Sequence, residues 1–190
     1  MKNIVNKVII IIMIIMIIII CIHLVYIIKT NKLQEQDYEN LELFNECIVE
    51  ADIFYWVGEG TALGFIREGG IIENDSDVDI GMYYENKEKY YEKCLPLLLN
   101  KGFTIMRNNP HSVIRHNRYI DVDFIGIGKP AMTYNWPETP DNWIKFLEPF
   151  SKITVRGVTY NIPSLQYIEY LYGDNWKTPS DLKPNQVNKN

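Results

Sequence analysis

The sequence predicts an α+β domain, a small mixed sheet flanked by helices, preceded by one N-terminal transmembrane helix. Three observations carry that expectation. The first is an unbroken apolar block from Val8 to Ile28, in which only His23 falls outside the hydrophobic set. The second is a downstream alternation of short β-branched and aromatic runs with stretches of helical spacing, as expected of strands and helices sharing one core. The third is a late apolar alternation broken at Arg156-Gly157, which reads as a terminal hairpin. A chain of 190 residues has room for one such domain beyond the block, and two would be cramped.

As a helix at about 1.5 Å per residue, the 21 residues of the block cover about 31 Å, matching a hydrocarbon core of about 30 Å. Lys2 and Lys7 precede it and Lys29 and Lys32 follow, so both ends have cationic anchors. A cleaved signal peptide would show a shorter apolar region and a small-residue cleavage site, and Ile28-Lys29-Thr30-Asn31-Lys32 offers none. An uncleaved anchor is therefore expected, with membrane contact through Val8–Ile28. Balanced lysines leave its orientation open. The expected organisation is a short flank (1–7), the transmembrane helix (8–28), a juxtamembrane linker (29–37), the globular domain (38–180) and a flexible tail (181–190).

Within the globular part, Leu41, Leu43, Phe44, Cys47, Ile48 and Ala51 recur at helical spacing across residues 33–51. Ile53–Val57 reads as a buried strand, Ala62–Arg67 as a short helix closed by Gly69-Gly70, and Asp77–Tyr84 as a second strand. Asn86–Asn100 has helical character with a kink expected at Pro96 and a stop at Gly102. Phe103–Met106, Ser112–Ile114 and Tyr119–Ile127 read as strands. Residues 129–142, with three prolines, read as an ordered loop. Ile153–Ile162 forms the hairpin and Ser164–Tyr172 a helix stopped by Gly173.

Composition excludes one class of partner. With 19 Lys+Arg against 24 Asp+Glu the net charge is −5, which argues against a general nucleic-acid binder, since that would need a basic face to meet phosphates. Of the three cysteines, Cys21 lies in the apolar block. Cys47 and Cys94 pair only if the domain faces an oxidising compartment, and two buried thiols are the commoner outcome. No Cys/His spacing suggests zinc.

The chemistry-bearing residues are carboxylates. Asp75, Asp77 and Asp79 are spaced by two, which on a strand puts all three on one face while Val78 and Ile80 point to the other. Like charges this close are costly unless a cation offsets them, and a few carboxylates suit Mg²⁺ or Mn²⁺; an acidic surface turn is the alternative. Asp121 and Asp123 likewise share one face of a strongly apolar strand, either completing a metal site or lining an exposed edge. Upstream, Gly58-Glu59-Gly60-Thr61 leads from a strand into a helix, a turn whose N–H groups favour anions. Gly58, Gly60 and Thr61 are thus candidate phosphate ligands. Arg67 is a candidate clamp for the same phosphate or a surface residue, and His111 and His116 are either a general base or ordinary polar residues.

Taken together, Trp56–Gly64, Arg67–Ile72 and Asp75–Gly81, with Tyr172–Pro179 as a closing motif, resemble the fukutin/LicD family over residues 40 to 180. The resemblance implies a nucleotidyltransferase-like catalytic domain that moves a phospho-alcohol such as phosphoribitol or phosphocholine from a CDP-alcohol to a glycan or glycoprotein. Carried over, Asp77 and Asp79 bind Mg²⁺ (or Mn²⁺) and Asp121 is the third carboxylate, with Asp123 the alternative. Ser76 replaces an acidic residue of many bacterial members. The resemblance also implies a single-pass, type II arrangement with the catalytic domain in the secretory lumen. Two other functions fit the same residues: an NTP-dependent nucleotidyltransferase, and a non-catalytic membrane-tethered binding protein of the same fold.

Overall fold

The computed structural model describes residues 2–73, 75–107, 109–127 and 141–179. Its first element is a single helix, α1 (Lys2–Glu50). Between Met1 and Glu50 the sequence contains neither Gly nor Pro, so nothing interrupts the backbone hydrogen bonding as the chain passes from the apolar block into the amphipathic stretch. Residues 29–37, expected as a linker, are therefore helical and continuous with both sides. The helix ends where Asp52 takes a left-handed φ of 53°. From Ile9 onward α1 is long and apolar enough to cross a membrane, and its apolar window is unburied by the rest of the chain.

β1 (Tyr55–Val57) follows, then α2 (Glu59–Arg67) and β2 (Asp77–Tyr83). A composite helix, α3, covers residues 84–100. It comprises a 3-10 turn (Tyr84–Asn86), an α turn (Lys87–Lys89), a π turn (Tyr90–Cys94) and an α segment (Leu95–Asn100). The expected kink at Pro96 takes this form: the proline sits in the first turn of the last segment, where it contributes no N–H to the ladder, and the widened π turn precedes it. Three strands follow, β3 (Thr104–Met106), β4 (Asn109–Arg115) and β5 (Arg118–Ile125). Then come α4 (Asp141–Leu147), β6 (Ser151–Val155), β7 (Val158–Ile162) and α5 (Leu165–Tyr172). The end of the expected loop, residues 141 and 142, belongs to α4; residues 129–140 and the expected tail at 181–190 lie outside the described residues.

The main sheet has five strands in the order β1-β2-β5-β4-β3, with β2 and β5 parallel and the other neighbours antiparallel. The hairpin β6–β7 is separate and turns at Arg156-Gly157, whose φ values of 52° and 85° are those of the tight turn that matches strand twist. His116-Asn117 makes the same kind of turn between β4 and β5. Side chains alternate as the pleat requires: Val78, Ile80, Met82, Ile120, Val122 and Phe124 are buried on one face. That face packs against α1 and α3, through Phe44 on Tyr55 and Tyr90 on Phe124. The opposite face carries the carboxylates and meets α2 and α5. Cys47 and Cys94 are buried free thiols on the packed side, and burial pushes Cys94 up to about 12.

Candidate active site

The site is built by one register. Because β2 and β5 run parallel with Asp79 opposite Asp121 and Gly81 opposite Asp123, residues Asp77, Asp79, Asp121 and Asp123 emerge on the same face of two adjacent strands. The N-terminus of α2 lies over them. Gly58 N–H donates to the Asp79 carbonyl at 2.9 Å, extending the β1–β2 pairing up to the first turn of the helix. Gly60 and Thr61 N–H groups then donate to Asp79 Oδ2 at 2.8 and 3.2 Å. The Thr61 hydroxyl oxygen accepts from Asp79 N–H at 2.8 Å and is fully buried.

Within the chain the N–H groups of the glycine turn already have partners. The anion held by the α2 N-terminus is the Asp79 carboxylate of the same chain, so Gly58, Gly60 and Thr61 position a site residue. Gly60 is small for a reason: a Cβ there would stand 3.1 Å from Asp79 Oδ2 and 3.2 Å from Asp75 Oδ2. Arg67 also has intramolecular partners. Its guanidinium donates to Glu68 at 2.6 and 3.1 Å and to the Trp176 carbonyl at 3.3 Å, joining the end of α2 to the turn after α5.

The electrostatics are those of crowded carboxylates. Burial and the neighbouring Glu59, Asp77 and Asp75 push Asp79 well up, against the pull of the Thr61 N–H. Burial and then Asp77 raise Asp75 to about 6. Asp121 is raised by burial and by Asp77, with a Ser112 hydrogen bond working the other way. Glu59 is raised to about 8 by burial and by Asp123, Asp77 and Asp121. Sequence reading passed over Glu59 as a site residue. The signal was present in its placement between two glycines at a strand-to-helix turn, where its left-handed φ of 30° is unusual for a non-glycine residue.

Whether these residues suit a divalent cation is a question of donor chemistry. All are hard oxygen donors, and the buried Oδ1 of Asp121 has no hydrogen-bond partner, as a ligand atom would. Among the described residues no three His, Cys, Asp or Glu side chains are already gathered into a ligand shell. Asp79 explains part of this, since its Oδ2 is turned toward the α2 amides. The donor set, hard oxygens with one buried and unpartnered, fits such an ion.

The histidines are resolved differently. His111 is buried, its Nδ1 meets the Tyr91 hydroxyl, and its ring stands edge-on to Phe124 at 5.5 Å. Burial pulls it down to about 4, so it is a neutral core residue. His116 occupies the β4–β5 turn.

A five-stranded mixed sheet with in-register carboxylates on its central parallel pair, approached by a Gly-Thr helix start, defines a nucleotidyltransferase-like protein. The fold is similar to that of the antibiotic-resistance factor ANT(2'')-Ia, with a TM-score of 0.52 at 16% identity over 78% of this chain and 77% of the other. Residues 52–164 match the family described as LicD/FKTN/FKRP, nucleotidyltransferase domain, and the chain belongs to that family. It is 34% identical over 85 residues to an uncharacterized protein of Rickettsia typhi, covering 45% of this chain and 27% of that one. It is 25% identical over 154 residues to the ribitol-5-phosphate transferase FKTN of Mus musculus, covering 74% and 33% respectively. The chain thus spans about a third or less of the curated relatives it matches.

Proposed function

We propose that the protein is a membrane-anchored transferase that moves a phospho-alcohol, of the phosphoribitol or phosphocholine kind, from a CDP-alcohol to a glycan hydroxyl. The observation that carries this reading is the in-register pairing of Asp79 with Asp121, flanked by Asp77, in a chain of the LicD/FKTN/FKRP family. Similarity to ribitol-5-phosphate transferases supports the choice of transferred group.

In this reading the acceptor oxygen bonds to the phosphorus that bears the alcohol. The P–O bond to the cytidylyl phosphate breaks, and CMP leaves with the electron pair. Asp77, Asp79 and Asp121 would hold Mg²⁺ or Mn²⁺, which would supply charge neutralisation for the diphosphate. The α2 amides fix Asp79, so the site needs little rearrangement as charge develops. The third carboxylate on β5 orients the hydroxyl and takes its proton. The register of Asp121 opposite Asp79 supports Asp121 in that role, with Asp123, at 7% exposure, the alternative. In this reading the apolar helix, long enough to cross a membrane, is the anchor, and the domain faces the lumen in a type II arrangement.

Full-length protein in vesicles, supplied with CDP-ribitol, CDP-choline or CDP-glycerol and glycan acceptors, is expected to release CMP in a metal-dependent way. Release that persists in Asp77→Ala or Asp79→Ala would sink the assignment. The nucleotidyltransferase description of the domain favours a second reading, an enzyme using an NTP, for which pyrophosphate and not CMP would be the product.

A further inference from the structure

We propose that the acceptor glycan is carried on a membrane lipid and enters the site from the bilayer surface, through cavities between α1 and the loop leading into β2. This rests on the transferase reading above and on Val8–Ile28 spanning the bilayer. One cavity, of about 130 Å³, is lined by Thr30 and Gln34 of α1 and by Asp75 and Ser76 of the loop. Another, of about 420 Å³, shares Thr30 and Gln34 and adds Asn31 and Glu73. Leu33, Ile72 and the Asp37–Arg118 pair complete the smaller lining, so hydroxyl, amide and carboxylate groups stand beside apolar faces with the guanidinium already paired, which suits a neutral polyhydroxyl ligand such as a sugar.

Height above the membrane selects the source of that sugar. Thr30 to Gln34 follow Ile28 by two to six residues, a helical rise of about 3–9 Å. The interfacial layer on each side of the hydrocarbon is about 5–8 Å thick. The helical wall of both cavities therefore lies within the headgroup layer or at its upper edge. The domain cannot lift away, because α1 is continuous and pinned. Arg118 donates to Asp37 at 2.5 and 2.6 Å, Gln34 Nε2 to the Ile71 carbonyl at 2.8 Å, and Ile71 N–H to the Tyr38 hydroxyl at 2.9 Å. Asp75 links the cavity to the chemistry, since it lines the wall while its Oδ2 stands beside Asp79 Oδ2 around Gly60. A soluble glycan would have to push into the headgroups to reach this mouth. A sugar on a lipid is already there.

The test uses full-length protein in phosphatidylcholine vesicles, with dialkylglycerol glycosides of hexose and N-acetylhexosamine set against the matching methyl glycosides. The lipid-borne acceptor is expected to be used at least tenfold better at equal bulk concentration. An eleven-residue helical polar insertion between Ile28 and Lys29 raises the domain by about 16 Å at nearly unchanged rotation. It should erase that preference while leaving transfer to the methyl glycoside intact. CMP release with no preference, or a preference that survives the insertion, overturns the lipid-borne acceptor but spares the transferase. Photolabelling needs no turnover: Asn31→p-benzoylphenylalanine should label the glycolipid several-fold above its share of total lipid. Lys32→p-benzoylphenylalanine, at the same depth but outside the cavity lining, should not. Equal labelling at the two positions overturns the proposal even if no CMP-releasing activity is found.

Discussion

Asp79 is held at three atoms, and that determines what each substitution near it does. Its Oδ2 takes the Gly60 and Thr61 amides while its N–H reaches the Thr61 hydroxyl, so its carboxylate is fixed before any ligand arrives. Asp121 has a buried Oδ1 with no partner, whereas Asp123 is nearly enclosed. Asp121→Asn is therefore expected to cut CMP release by at least about 100-fold, the scale of losing a group that supports a bound metal. Asp123→Asn should cost less, and a larger loss of kcat in Asp123→Asn than in Asp121→Asn would move the proton-accepting role to Asp123. The same crowding sets a pH dependence. Asp75 and Glu59 are raised to about 6 and about 8, so the folded state binds their protons more tightly than the unfolded chain does. Stability they allow is fully present below the ordinary carboxylate range and is lost as pH rises through about 6 to 8. His111, lowered to about 4, acts with the opposite sign, its contribution being lost as pH falls from about 6.5 toward 4. Metal-free protein should thus melt highest near pH 5–6, and added Mg²⁺ should raise the melting temperature most at pH 8. A melting temperature that climbs steadily to pH 8 without metal would contradict the crowded site.

At the scale of elements, the strands and their faces were legible because period-two alternation is local: the Asp-x-Asp pattern on β2 and β5 places the carboxylates without tertiary information. What the alternation could not supply was which strands neighbour each other. The parallel β2–β5 pairing that brings Asp79 opposite Asp121 joins residues 42 apart in sequence. The glycine turn was legible as an anion-binding helix start, but the anion was not, because Asp79 lies 18 residues beyond Thr61. α4 was hidden by the prolines just before it. The helical spacing read over residues 33–51 extends back through the linker expected at 29–37, because no Gly or Pro interrupts the chain there. Another consequence concerns how α2 seats against the loop behind it. A Cβ on Gly64 would stand 2.6 Å from the Gly70 carbonyl oxygen and 2.9 Å from Ile72 Cγ1. Backbone cannot yield there, so Gly64→Ala should destabilise the domain by about 1–3 kcal/mol in urea unfolding. Because that loop leads to Asp75, the variant should also lose activity beyond what its stability explains. Full activity in the folded fraction would show that the loop does not position the site.

For the molecule as a whole, the decisive feature is that the apolar N-terminal segment and the first core helix of the domain are one element. From Gln34 to Ile48 α1 is part of the core: Leu41, Phe44 and Ile48 are fully buried. Its polar face is spent on the domain. Asn40 exchanges hydrogen bonds with Arg115, and Glu35 pairs with Arg156, which also stacks on the Tyr38 ring at 4.4 Å. The deepest of these ties is Asp37 with Arg118, whose side chains are 2% and 11% exposed. Surface pairs such as Lys101–Glu46 contribute little. A buried pair broken on one side leaves a desolvated charge, at a cost of about 3–5 kcal/mol. A chain begun at residue 38, the boundary that sequence alone suggested, removes Asp37 and strands Arg118 beneath Asp75, to whose carbonyl its Nη2 also donates. That truncation is expected to be insoluble or to melt well below a chain begun at Thr30, which keeps every contact named here. Adding Arg118→Met to the shorter chain removes the stranded charge and should recover part of the difference. If chains begun at 30 and 38 melted together, α1 would be a tether joined to an independent domain, and the fixed height of the site above the membrane would go with it.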